Sequence, residues 1–323
     1  MNPARRTAVL GLAAVAAWAF AAPPAPAPQA PREAYRARLA AQAPLLSIAR
    51  AGERLVAVGD FGVIVLSDDG GRTWRQAASV AAREMLTSVA FVDPKRGFAV
   101  GHGGTVIATT DGGERWTRLH EAGADNVLLS VWFADERRGI AVGAFGYAIA
   151  TSDGGATWTN LTLGEGDDRD RHLNAVFSGP GDTIFVAAES GNVFRSADGG
   201  RSWTALRLPY DGSFWGGMTL ADGTVLVWGM RGHVYRSTDR GATWTEAETG
   251  ATQSFTGGTR LPDGTIVLVG LNGAVATSRD GGRSFRTELR KERQTYSAVT
   301  AGAPGHLATA GLSGVASQPM AAP

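Results

Sequence analysis

The chain has 323 residues, 44% of them apolar and 19% charged, with 44 glycines, 14 prolines and no cysteine. That length and apolar content can bury a large core, while the lack of cysteine excludes a disulfide framework, Cys-ligated zinc or iron–sulfur centres and a lipid-anchored cysteine. Lys and Arg (31) nearly balance Asp and Glu (30), so bulk charge gives no reason to expect a nucleic-acid partner.

Residues 1–21 read as an export signal. Arg5 and Arg6 precede an apolar stretch from Ala8 to Ala21 that ends on the small-x-small pattern Ala19-Phe20-Ala21. The stretch is shorter than the roughly 20 residues that span a bilayer, and no later stretch is apolar enough to cross one. Arg5 and Arg6 are its only charged residues, so its removal takes the formal net charge from +1 to −1. Cleavage would place the mature chain in the periplasm or another exported location. Residues 22–34 form a Pro/Ala-rich linker.

From Tyr35 onward one unit recurs. The strings SDDGGRTW, TTDGGERW, TSDGGATW, SADGGRSW, STDRGATW and SRDGGRSF are six copies of one motif, with central aspartates at Asp69, Asp111, Asp153, Asp198, Asp239 and Asp280, spaced 41–45 residues apart. A Gly-x-x-Gly-like marker precedes each copy and appears a seventh time near Gly314. Within a unit the apolar residues alternate, as in Leu86–Phe91, Gly97–Gly101 and Thr105–Thr109, and Gly and Asp turns separate these runs. Four short antiparallel strands per unit, seven units and no substantial helix predict an all-β, seven-bladed β-propeller over residues 35–317, with 318–323 as a C-terminal tail. The seventh unit lacks its box. Counting back from Leu46 puts an aromatic, Tyr35, where the repeat wants one, so Tyr35–Gln42 is expected to supply the outer strand of the last blade.

The repeated motif is the Asp box of sialidase-like and related propellers, and its chemistry is structural. The carboxylate accepts backbone N–H groups in a turn, Ser/Thr hydroxyls bond locally, and glycine takes the positive-φ position. The terminal aromatic, at Trp74, Trp116, Trp158, Trp203, Trp244 and Phe285, is expected to pack between blades. Chain direction puts the boxes on one face of the disc and the Gly-x-x-Gly turns, with the blade-to-blade connections, on the other. The residues in those turns and connections vary over a fixed frame, which makes them the candidate partner-binding set: Phe61, His102, Phe145, Arg169, Arg171, Glu189, Arg231, Arg290 and Arg293.

A catalytic set is not visible. The early Arg-Ile-Pro signature of sialidases is missing, and the best nucleophile candidate, Tyr296, aligns with the core residue Leu86. The run GEGDDRDRH (164–172) suits a solvated loop, with calcium as its functional alternative. The five histidines are scattered without metal-ligand spacing, so no metal or cofactor is assigned. A second reading, a sialidase-like glycoside hydrolase or glycan-binding propeller, rests on the boxes and on Phe61, Phe145 and Trp215 as aromatics that could stack on sugars.

The repeat at Leu86–Trp116 and Leu129–Trp158, with Val-Gly-x-x-Gly ahead of the box, resembles the photosystem II assembly and stability factor family. The resemblance extends more loosely over Tyr35–Ser317. It implies a non-enzymatic scaffold propeller outside the cytoplasm that helps assemble a membrane complex and binds a membrane-associated protein partner through a face carrying arginines.

Overall fold

The computed structural model describes residues 33–320. It is a seven-bladed β-propeller of antiparallel blades. In blade 2 the strands Leu86–Phe91, Gly97–Gly101, Val106–Thr109 and Arg115–His120 hydrogen-bond in that order, and the other complete blades repeat the meander. Second strands such as Gly97–Gly101 and Gly139–Gly143 are buried at every residue. Both faces of each blade are covered by neighbours there, so the alternation seen at sheet edges gives way to a continuous apolar run. First strands contact first strands around the axis, and the ring closes where Tyr296–Ala301 of blade 7 meets Leu45–Ala51 of blade 1.

The Asp boxes tie each third strand to its fourth. In blade 3 the Asp153 carboxylate accepts the Thr157 hydroxyl at 2.6 Å, the Thr157 N–H at 2.9 Å and the Thr151 hydroxyl at 2.8 Å. These donors, the Thr157 hydroxyl first, hold the carboxyl at about 2. Thr151 in turn accepts the Gly155 N–H, and the Trp158 indole donates to the Gly155 carbonyl at 3.1 Å. Blade 2 departs from the pattern: Arg115 stands where the second hydroxyl belongs, and its guanidinium lies 3.5 Å from Asp111. Trp116 is the one box tryptophan buried almost completely, at 1% exposure; Trp74, Trp158, Trp203 and Trp244 are half-buried.

The second glycine of the Gly-x-x-Gly turn has a definite reason. At Gly62, Gly146, Gly191 and Gly232 φ lies between +68° and +80°, and a Cβ there would overlap the carbonyl of Ala82, Arg169, Tyr210 or Ala251 in the connection to the next blade. Gly314 of blade 7 meets the Ala41 carbonyl in the same way. The N-terminal turn Ala40–Gln42 therefore occupies the place of a blade-to-blade connection.

This corrects the expected closure. Blade 7 has three strands, Tyr296–Ala301, His306–Gly311 and Gly314–Pro319, and Tyr35–Gln42 adds no fourth. The N-terminal segment gives its backbone bonds to blade 1 and its connection instead. The Ala34 N–H donates to the Val80 carbonyl, the Ala37 N–H to Gln76 Oε1, and Gln76 Nε2 to the Tyr35 carbonyl. Tyr35 consequently lies on blade 1, not on blade 7. At the other end, the last strand runs through Pro319, two residues past the expected propeller boundary at 317, and the Met320 N–H donates to the Gly305 carbonyl. The signal-peptide assignment and residues 22–32 of the linker lie outside the described residues.

Candidate binding face

The turn tips of this face are held in an uncommon backbone conformation. Phe61, Phe145, Ser190, Arg231 and Asn272, each third in its turn, have φ of 52–56°. The left-handed region costs an L-residue on the order of 1 kcal/mol. Gly103 fills the same position in blade 2, at φ 73°. The turn itself therefore needs no side chain there.

What these positions display differs around the ring. Phe61 is 56% exposed and meets the Tyr35 ring edge-on at 6.1 Å; Tyr35 is 52% exposed and carries the Arg83 guanidinium 4.1 Å above it. This cation–aromatic group was not legible as a site, because Tyr35 was placed on another blade. Phe145 is 71% exposed, with His172 at 4.6 Å. His102, Arg169, Arg231 and Arg293 are also exposed.

Other candidates are engaged in bonds within the chain. Arg171 reaches Ser190 Oγ at 3.1 Å and Asp168 at 3.4 Å, and Glu189 accepts the His172 N–H at 3.0 Å, so this pair orders the connection between blades 3 and 4. Asp168 also accepts Asn192 Nδ2, which commits the carboxylate to neighbouring donors. Arg290 donates to the Pro319 carbonyl at 3.0 Å and leaves the exposed arginine set. Tyr296 is buried at the core position of Leu86, and its hydroxyl accepts Gln318 Nε2 at 2.8 Å. Trp215 is half-buried on the first strand of blade 5.

Two charged clusters escaped the sequence reading because their members are far apart along the chain. Arg118 joins Glu84 and Glu121, each at 2.6 Å, and donates to the Ala81 carbonyl, clamping the connections on either side of blade 2. On the box side, Arg54 and Arg75 share Asp68 and Glu114 across blades 1 and 2. Near blade 5, the Tyr210 and His233 rings lie 4.0 Å apart and tilted by 32°, and His233 Nδ1 lies 2.5 Å from Glu246. Burial first, and then the Glu246 charge, push the Tyr235 hydroxyl up to about 12. Among the described residues no group of three His, Asp or Glu side chains converges as a metal site.

The family model for the photosynthesis system II assembly factor YCF48 matches residues 118–283, half of the chain, from the last strand of blade 2 to the box of blade 6. The chain belongs to the YCF48 family. No curated protein sequence matches it. Among solved structures, YCF48 bound to D1 peptide superimposes with a TM-score of 0.70 at 18% identity, over 87% of this chain and 95% of that one. YCF48 from Cyanidioschyzon merolae gives 0.67 at 16%, over 86% and 96%. Virginiamycin B lyase from Staphylococcus aureus gives 0.73 at only 8%, over 90% and 99%. At these identities the structural likeness carries the fold and nothing finer. In this YCF48-family chain the turn-tip residue changes from blade to blade, from Phe61 and Gly103 to Phe145, Ser190, Arg231 and Asn272.

Proposed function

We propose that this chain is a non-enzymatic, exported scaffold that holds a segment of a membrane-complex subunit against the face of its Gly-x-x-Gly turns. The observation that carries this reading is the set of non-glycine residues kept in the left-handed region at the turn tips, with Phe61, Phe145 and Arg231 turned to solvent. A left-handed position that glycine fills without strain, as Gly103 does, bears side chains in five other blades, and a display function accounts for that backbone cost. Exposed Phe and Arg suit an extended protein segment, the aromatics giving contact area and the guanidinium groups of Arg169, Arg231 and Arg293 pairing with its carboxylates. A relative solved with D1 peptide supports a protein segment as the ligand.

The test is photo-crosslinking in membranes from the native host. Benzoylphenylalanine at Phe145 or Arg231 is expected to trap a discrete membrane protein, and the same probe at Arg201 on the box face to trap none. Equal adducts from both faces, or none from either, would refute the turn-face reading. Sequencing the mature N-terminus tests export, with cleavage expected after Ala21.

A further inference from the structure

Blade 7 ends at its third strand, Gly314–Pro319, and among the described residues nothing pairs with that strand's outer edge. The Met320 N–H donates to the Gly305 carbonyl at 2.9 Å, which fixes the phase of the antiparallel ladder. Residues 314, 316 and 318 face the second strand, and Val315, Ser317 and Pro319 turn their backbone groups outward. The Pro319 carbonyl is taken by Arg290. The N–H and C=O of Val315 and Ser317 have no partner among the described residues.

Beside this edge, between blades 6 and 7, lies a groove of about 640 Å³. Its origin is the missing box. Elsewhere the second box glycine packs on the preceding blade: Gly113 on Val56, Gly200 on Ile140, Gly241 on Phe185, Gly282 on Leu226 and, across the seam of the ring, Gly71 on Ala308. The equivalent residue of blade 6, Val267, receives no box; Met320 packs over its cluster instead. The outer groove is charged. Glu288 lies 3.1 Å from Arg290 but is misaligned, so Glu288 Oε1 and Arg290 Nε stay buried without a hydrogen bond. Arg279 and Arg286 also line the groove, and neither makes an ion pair among the described residues.

From the open edge, the orphaned polar atoms and the two unpaired arginines, we infer that an extended, acidic segment of a partner protein adds to Gly314–Pro319 as the fourth strand of blade 7. The six complete blades show the geometry, an antiparallel strand on the outer edge. Edge addition supplies main-chain hydrogen bonds, and the arginines select the charge. A second copy pairing through its own edge would offer Gly314–Pro319, which has no acidic residue. Residues 22–32 contain five prolines and no acidic residue. Neither matches the groove. This surface is separate from the turn face, so it is tested independently of the function proposed above.

The probe is a fluorescein-labelled nine-residue peptide of alternating Val, Glu and Thr, compared with its Lys-for-Glu form and a form N-methylated on one edge. Fluorescence anisotropy with the full chain should show binding of the acidic peptide, weakened at least tenfold by either change. Ser317→Pro should weaken it as much without lowering Tm, because the lost N–H points away from the ladder. Arg286→Glu should do likewise, and Phe145→Ala and Arg231→Glu should leave binding unchanged. No binding, equal binding of the N-methylated peptide, binding that survives both Ser317→Pro and Arg286→Glu, or a dimer that Ser317→Pro dissociates would each overturn the inference.

Discussion

Replacing Trp116 by alanine tests whether the boxes act as seams between blades. Trp116 is 1% exposed, meets Phe91 edge-on at 6.0 Å and belongs to one apolar cluster with Val56, Leu66 and Val80, which brings blade 1 and its connection against blade 2. The short strand Ser79–Val80 pairs in parallel with Arg115 and Trp116 and helps to enclose the ring. A buried indole removes on the order of 200 Å² from water, or roughly 5 kcal/mol at 25 cal/mol per Å². Partial collapse of the cavity brings Trp→Ala losses to about 3–5 kcal/mol. The Gly113 carbonyl also loses the indole N–H that donates to it at 2.9 Å. We expect about 4 kcal/mol for Trp116→Ala and about half as much for the half-buried Trp203→Ala. At about 2 °C per kcal/mol for a chain of this size, Trp116→Ala should melt roughly 8 °C below the parent in calorimetry. Equal losses for the two variants, or a Trp116→Ala transition within 2 °C of the parent, would refute the assignment of Trp116 as the tightest box seam.

Acid should weaken the fold through the boxes. Asp153, Asp239 and Asp280 sit at about 2 in the folded chain, below the ordinary aspartate value near 3.9, so the unfolded chain binds more protons between those pH values. Their contribution is fully present above about pH 4 and lost as pH falls through about 2, which urea titrations from pH 5 to 2 would read. Thr157→Val removes the hydroxyl donor at 2.6 Å and should raise the Asp153 pKa from about 2, followed by carboxyl NMR; an unmoved value would show that the backbone donors suffice. Arg240 stands at φ 59° where the other boxes carry glycine, so Arg240→Gly should stabilise by about 0.5–1 kcal/mol in chemical denaturation, and a loss would contradict the strain argument. Gly258→Ala should destabilise because its Cβ would meet Leu268 and the Trp228 ring, and Trp228→Leu in the same chain should recover part of the loss.

The frame was legible because it is written many times over. A box every 41–45 residues, with alternating apolar runs between, leaves little room for another architecture, and each Asp–Thr or Asp–Ser pair lies within four residues along the chain. Tyr296 was legible for the same reason, since its alignment with Leu86 put it in the core. The divergent double glycines of blades 5 and 6 were not. Gly216 and Gly258 make room for Trp228, a contact between a first strand, a second strand and a neighbouring blade that no local pattern reveals. The arginine set was only partly legible, because exposure depends on long-range partners. Arg290 and Arg171 are drawn into backbone and hydroxyl bonds, and Arg231 and Arg293 remain exposed.

The N-terminal closure failed for an instructive reason. Counting by period assumed that the segment before Leu45 continues the last blade as a strand, but what the ring requires at that point is a connection. The Gly314 turn packs on a backbone carbonyl, as the turns at Gly62, Gly146, Gly191 and Gly232 do, and Ala40–Gln42 supplies it. Closure is then completed by apolar first strands, by Arg50 donating to the Ala301 carbonyl at 2.9 Å and by the Ala303 N–H donating to the Gly70 carbonyl. None of these contacts uses the outer edge of blade 7. A ring can therefore be sealed at its axis while one spoke keeps a rim that is unpaired among the described residues, which is the edge the inferred partner segment would use.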